Sequence, residues 1–431
     1  MKRIVTVAAL VSVATNMSAQ GWSLDSCINY AVSHNITVKS RQLDRYSAEL
    51  DVTEAKDAFL PKAQADVSQS FNFGRGLTSE NTYADRNTSQ TGWSVGVNVP
   101  LFQGLSAVRR LDYSRANLKA IAEQCEVAKD NITLQVISQY LQVLYSGEVL
   151  DVAAEQERMS HVQLERTSVL VEEGKLPELD LTQAKSQLAQ DHFTTVNADN
   201  DRRLALLELS QLLQLPSVDG FDVLPLDSPE QKLLSVNDVY DNALEHNHSI
   251  RAARLSIDAA SQSIRLAKTG YLPTLSFNAG IGSNYYKVSG VPNSSFTRQM
   301  RDNFNTYLGF TLSVPLFDAF ATRNAVRKAN VSLHTANLQL EDTRSNLYKA
   351  IQQAYRQASA AAERLQASLT AESATREALD AMEVKYEFGR ANATELEQTR
   401  SDYIRARLQT VQARYESLLR QRILEFYNRQ N

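Results

Sequence analysis

The tetrapeptide "VPLF" stands at Val99–Phe102 and again at Val314–Phe317, 215 residues later in a chain of 431. At the same offset "EEGKLPELDLTQAK" (172–185) meets "EFGRANATELEQTR" (387–400), pairing Gly174 with Gly389 and Leu181 with Leu396. At offset 212, residues 31–61 align with 243–273 without a gap, and nine of the 31 positions are identical. The identities include His34/His246, Asn35/Asn247, Lys56/Lys268 and Leu60–Pro61/Leu272–Pro273. Three ordered matches make the chain a tandem duplication, with repeats at 20–235 and 236–431. The unit is too long for a solenoid, whose periods run at roughly 20–50 residues.

Ten of the 15 glycines fall in 74–104 and 270–309. There the polarity alternates with period two. Val67, Phe71, Phe73, Trp93, Val95, Val97 and Val99 oppose Ser68, Asn72, Gly92, Ser94, Gly96 and Asn98. In the second repeat Leu275, Phe277, Ala279, Ile281, Leu308, Phe310 and Leu312 oppose Ser276, Asn278, Gly280, Gly282, Tyr307, Gly309 and Thr311. Strands are therefore expected at 62–74, 91–100, 274–285 and 304–315, joined by polar loops at 75–90 and 286–303. About 10 residues suits a tilted strand crossing a bilayer. The wet face carries Ser, Asn, Gly and Gln rather than Lys and Glu, which suits a water-filled lumen; half-buried strands of a soluble sandwich are the alternative. Trp93, Tyr285, Phe71 and Phe73 fit an interfacial aromatic belt or ordinary outward-facing positions. Four strands cannot close a useful bore, and an open edge in lipid costs several kcal/mol per unpaired group. Either the strands lie outside a membrane or several chains share one barrel, and three chains would supply twelve strands.

The rest reads as helix: 24–61 and 236–272, and long hairpins at 104–214 and 319–428. Residues 104–170 hold no proline and one internal glycine, enough for a helix of roughly 100 Å. Leu347, Ile351, Ala354, Ala358, Ala361 and Leu365, and Ile404, Leu408, Val411, Tyr415 and Leu418, step by threes and fours as in a coiled coil. A proline-rich linker, 215–235, joins the repeats. Pro61 and Pro273 stand where helix becomes strand, Pro100 and Pro315 where strand returns to helix. Proline lacks the N–H that either ladder needs and holds its predecessor extended.

Residues 1–19 read as a signal peptide: Lys2 and Arg3, then an apolar run too short to span a bilayer, then small residues ending near Ala19. Its removal takes the formal charge from -4 to -6. A mildly acidic chain makes no electrostatic case for nucleic acid. Two cysteines, Cys27 and Cys125, are no disulfide scaffold. No GxGxxG, Walker loop, GxSxG or HExxH occurs. The scattered histidines include only His246-x-His248 as a close pair, which reads as a helical turn rather than a metal site. No enzyme, metal or cofactor is expected.

By its duplication, its "FLP" and "YLP" strand entries, its two VPLF exits and its glycine-centred hairpin turns, the chain resembles the TolC family of outer-membrane channels over residues 22–428. The resemblance implies a mixed α/β membrane protein. Four transmembrane β-strands per protomer would form a shared 12-stranded barrel in a homotrimer, continuing into a long periplasmic α-helical coiled-coil barrel. It also implies a passive duct, fed by an inner-membrane pump of RND or ABC type through a periplasmic adaptor, a membrane fusion protein.

Two sites follow from the resemblance. The tips Gly174, Lys175, Leu176 and Gly389, Arg390, Ala391 match the family's adaptor-docking turns, and the same glycines equally serve as plain helix terminators. Lys175 and Arg390 are either locks between neighbouring hairpins or surface charges. The family's periplasmic gate maps onto Glu395 and Gln398, with Asp180 and Gln183 in the first hairpin. The inner acidic position is glutamine here, which removes a doubled carboxylate gate, and a carboxylate at a helix start has a structural use of its own. The expected function is the outer-membrane channel of small-molecule or drug efflux. Type I protein secretion, metal efflux, a stand-alone porin and a periplasmic coiled-coil scaffold are the rivals.

Overall fold

The computed structural model describes residues 21–77, 81–226 and 235–428. The expected signal peptide lies outside them, as do 78–80 of the first loop and 227–234 of the linker. The described residues fall into two compact units, one drawn from 1–42, 124–250 and 344–431, the other from 43–123 and 251–343.

The first unit is helical. Ser23 caps α1 (Leu24–His34), its Oγ accepting the Ser26 N–H at 3.2 Å. Each of the expected helical stretches, 24–61 and 236–272, divides in two at the duplicated asparagine. Asn35 is extended, donates from Nδ2 to the Leu212 carbonyl at 3.0 Å, and accepts the Thr37 N–H at 2.8 Å to start α2 (Ile36–Asp57). Asn247 likewise separates α5 (Val236–His246) from α6 (His248–Ala267), accepting the Ser249 N–H at 2.9 Å. A side-chain carbonyl that satisfies orphan N–H groups lets one helix stop and the next begin without loss.

The hairpins repeat residue for residue. The outgoing helices α3 (Ser106–Glu172) and α8 (Ala321–Glu387) each have 67 residues; the returning helices α4 (Glu178–Leu213) and α9 (Ala393–Asn428) each have 36. Leu24, Cys27, Val136, Tyr140, Leu209 and Leu213 pack into the main core. The Tyr140 hydroxyl lies 2.6 Å from the Leu224 carbonyl and 3.0 Å from that of Trp22, and Trp22 bridges to Val223. The described part of the linker is thereby tied to the segment before α1 and to α3. On α8 the seam Leu347, Ile351, Ala354, Ala358, Ala361 is buried, and its last member, Leu365, is half-buried. On α9 the fully buried stripe Leu396, Arg400, Tyr403, Ala406, Thr410, Ala413, Ser417 keeps the three-and-four spacing. Ile404, Leu408 and Tyr415 of the expected seam are only half-buried beside it, while Val411 and Leu418 are buried. On α9 hydrophobicity marked the larger side chains, but the buried line also takes in small and polar ones.

The second unit holds an antiparallel sheet in the order β1-β4-β5-β6: β1 (Lys62–Asn72), β4 (Thr88–Gln103), β5 (Thr274–Val288) and β6 (Asn305–Ser313). Rows such as Val67–Trp93–Ser283 and Gln64–Gly96–Gly280–Tyr307 run across it on alternate faces. Much of the apolar face is bare: Val67 is 81%, Leu308 72% and Phe310 72% exposed. Two elements interrupt the expected loops, the hairpin of β2 (Arg75–Leu77) with β3 (Tyr83–Asp85) and the helix α7 (Phe296–Asp302).

Pro61 and Pro273 directly precede β1 and β5, and Pro315 follows β6. Pro100 departs from the sequence reading. It lies inside β4 opposite Ser276, with a register shift between Pro100 and Phe102. Beyond Asn98, β4 pairs with β5 alone, so a residue without an N–H is tolerated there. The turn into the long helix follows instead at Gly104–Leu105 and, in the second repeat, at Ala319–Phe320, all four with positive φ.

Candidate docking tips, gate residues and channel lining

Both hairpins turn by the same hydrogen bonds. Gly174, at φ +72°, follows α3; the Lys175 N–H reaches back to the Leu170 carbonyl at 2.8 Å and the Gly174 N–H to that of Val171 at 2.9 Å. Gly389, at φ +67°, follows α8; Arg390 donates to Lys385 at 2.8 Å and Gly389 to Tyr386 at 3.0 Å. These are paired helix-terminating motifs that need a residue free to adopt left-handed geometry. Leu176 and Ala391 are half-buried next to them. Lys175 pairs with Glu173 at 2.6 Å in the open, a contact worth little by itself. Sequence reading passed over the exposed apolar side chains around these turns: Leu179 is 63% and Phe388 74% exposed. No periodic signal distinguishes an exposed from a packed apolar residue.

The gate candidates separate into three settings. Asp180 and Gln183, together with Gln163, Tyr386, Glu397 and Arg400, line a cavity of about 340 Å³. Glu395 is absent from its walls and caps α9: its N–H donates to Asn392 Oδ1 at 2.8 Å, and its Oε2 accepts the Asn392 N–H at 3.2 Å. Gln398 donates to the Asp402 carboxylate at 3.3 Å. Asp180 and Glu395 are equivalent in the duplication, yet only one faces the cavity.

Part of that cavity's wall is an ionic cluster around a buried arginine that the sequence did not disclose. Arg400, 6% exposed, lies 3.8 Å from Glu383 and 3.6 Å from Glu397, and its Nε has no partner. Asp191 accepts from Gln156 at 3.3 Å, from Gln187 at 3.0 Å and from Ser160. Burial pushes the Glu397 carboxyl above its usual range; Arg400 opposes this and Asp191 adds to it. A single arginine in a charged heptad looks, in sequence, like any solvated helix residue. Among the described residues no three His, Cys, Asp or Glu side chains are grouped so as to hold a metal ion.

In the sheet, the polar face has a glycine floor. The Tyr307 ring lies where a side chain on Gly280 would begin, 2.6 Å from that ideal Cβ, and its hydroxyl reaches 3.4 Å from the equivalent point on Gly96. Asn98 donates to Asn278 Oδ1 at 2.7 Å across the same face. No helix among the described residues is long and apolar enough to cross a membrane; strands are a separate matter.

Comparison with known proteins adds the following. The profile described as outer membrane efflux protein matches residues 27–214 and 239–426. The chain is 24% identical over 437 residues to the outer membrane protein TolC of Escherichia coli (strain K12), covering 98% of this chain and 85% of that one. It is 25% identical over 297 residues to the alkaline protease secretion protein AprF of Pseudomonas aeruginosa, covering 67% and 60%. Its fold is similar to the crystal structure of the Campylobacter jejuni CmeC outer membrane channel, with a TM-score of 0.77 at 14% identity over 94% of this chain and 85% of that one.

Proposed function

This chain belongs to the outer membrane efflux protein family, and from that premise we propose that it is the passive trimeric duct of a three-part export system. It resides in the outer membrane of a Gram-negative bacterium, as its family and its TolC relatives do. The observation that carries the trimer is the sheet. Its outermost strands, β1 and β6, each pair on one side only, while much of its apolar face is bare. In hydrocarbon every unpaired backbone group costs several kcal/mol, so the edges must close on other copies. Three four-stranded sheets make a twelve-stranded barrel.

The matched turns at Gly174–Leu176 and Gly389–Ala391 are then the docking points of a periplasmic adaptor, with Leu179 and Phe388 as its apolar anchors. Asp180, Gln183, Glu395 and Gln398 are the gate candidates, Asp180 and Gln183 through the cavity they line. The pump, proton-driven or ATP-driven, supplies both force and selectivity, because a lining of Ser, Asn, Gln and Gly offers cargo only generic polar contacts. Small molecules are the cargo we favour. Likeness to AprF supports protein secretion as the second reading.

The test is to cross-link whole cells, purify the protein from the outer membrane and identify what accompanies it. An adaptor and a pump, both lost when the two tips are altered, are expected. Trimers alone, with steady ion conductance in bilayers, would replace the duct by a stand-alone porin.

A further inference from the structure

On the apolar face of the sheet the strand residues carry no charge except Lys287. It stands in the outermost row, Phe71–Ser89–Lys287, at the end away from the helices. There α7 lies against the same face. Ser283 Oγ donates to the Met300 carbonyl at 2.6 Å, and the Tyr285 and Phe296 rings meet edge to face at 5.2 Å. The placement is fixed by side-chain amides that stand in for a missing strand. β6 pairs with β5 only as far as Gly282. Beyond it, Gln299 bonds both the N–H and the carbonyl of Tyr286, at 3.0 and 3.1 Å. Asn293 does the same for Val288, at 2.9 and 2.8 Å, and Asn303 donates to the Asn284 carbonyl at 2.7 Å.

This scaffold holds Arg298 and Arg301 at the rim, their side chains 70% and 78% exposed. Both guanidinium groups lean on one carboxylate, Asp302, at 3.5 and 3.0 Å. Two cations share one anion, Lys287 adds a third positive charge at the end of the same face in the row of Phe71, and Tyr285, two residues before it on β5, meets Phe296 of α7. An uncharged apolar face ending in aromatic rings and then cations is the order in which a bilayer presents acyl chains, interface and phosphate.

We propose that this rim is a binding surface for outer-leaflet lipid whose head group carries phosphate, with Lys287, Arg298 and Arg301 on the phosphates and Phe71, Tyr285 and Phe296 at the acyl boundary. The site rests on the outer-membrane location and is independent of cargo, adaptor or pump. The loop helix thus anchors the barrel rim to its surrounding lipid.

The test uses the full-length trimer in detergent and titrates diphosphorylated lipid A, the same lipid stripped of phosphate, and inorganic phosphate. Wild-type protein is expected to prefer the phosphorylated lipid. Each charge removed by Lys287→Gln, Arg298→Gln or Arg301→Gln should weaken binding about fivefold, and all three together on the order of 100-fold. Arg298→Lys with Arg301→Lys should keep most of the affinity, and Arg323→Gln with Arg327→Gln, at the start of α8, should change nothing. If the triple variant fails to assemble, the single variants carry the measurement. Equal binding by those variants would overturn the site. So would equal binding of the stripped lipid, displacement by inorganic phosphate, or an equal loss in the Arg323/Arg327 control.

Discussion

Asn392 and Glu395 close the start of α9 on each other, exchanging hydrogen bonds of 2.8 and 3.2 Å in a capping box. That occupation separates two roles of the carboxylate. Glutamine at N3 also serves a capping box, so Glu395→Gln should leave thermal stability within about 0.5 kcal/mol, whereas Glu395→Ala should cost about 1 kcal/mol. If the three Glu395 charges also line a gate, Glu395→Gln will change single-channel cation preference with no change in melting. Unaltered conductance with Gln and lowered stability with Ala would make the residue purely a cap.

The strand-to-helix turn gives opposite signs at equivalent positions. Gly104 has φ +59°, and a Cβ there would meet Leu272 Cβ at 3.0 Å and two carbonyl oxygens at 3.2 Å. Ala319 holds the same place at φ +52°. Gly104→Ala should destabilise by about 1–3 kcal/mol, and Ala319→Gly should stabilise by up to about 1 kcal/mol through relief of left-handed geometry. Unfolding midpoints of the two variants under one denaturant would read both. A loss from Ala319→Gly would mean that the added chain entropy outweighs the strain.

Glu397 sets a pH dependence. Its carboxyl is raised in the folded chain, first by burial, with Arg400 opposing and Asp191 adding. The folded state therefore holds the proton more tightly than the unfolded one. The resulting stabilisation is complete below the ordinary carboxylate range and is lost as pH rises through the raised value. Glu397→Gln should flatten the melting temperature between mild acid and neutral pH. Arg400→Ala should cost about 1–3 kcal/mol, because it empties the buried guanidinium site, and should raise the half-exposed Glu397 carboxyl further. An unchanged pH profile in Glu397→Gln would place the titration elsewhere.

Cys27 is fully buried, and burial pushes its thiol up to about 12 from an ordinary 9.0. Thiolate, the reactive form, is then about a thousandfold scarcer than in an exposed cysteine near neutral pH. Folded protein should resist thiolate-directed alkylation at Cys27 and label readily once unfolded. Cys125 is also buried and unbridged, so no intramolecular disulfide should form under mild oxidation. Rapid labelling of the native protein at Cys27 would mean that this core opens.

Much was legible from periodicity and duplication. Alternating Val95–Val97 and Leu308–Phe310 mark strands, because a pleated backbone sends successive side chains to opposite faces. The two VPLF copies mark the same junction twice. Less legible were features made by single polar atoms. Asn35 and Asn247 were visible as repeated residues, yet that each ends one helix and begins another depends on where their amides point. Pro100 was read as a strand end, but β1 stops first and lets β4 run on through it.

The sequence alone determined the duplication, the two long helical hairpins, the two faces of the sheet and the family, since each is written in spacing along the chain. Tertiary structure decided what depends on side chains distant in sequence. It sent Asp180 to a cavity and its counterpart Glu395 to a helix cap. It buried Arg400 between Glu383 and Glu397, and it laid α7 along the unpaired end of β5. Spacing fixes which residues share a face of their own element; only packing between elements fixes what that face meets.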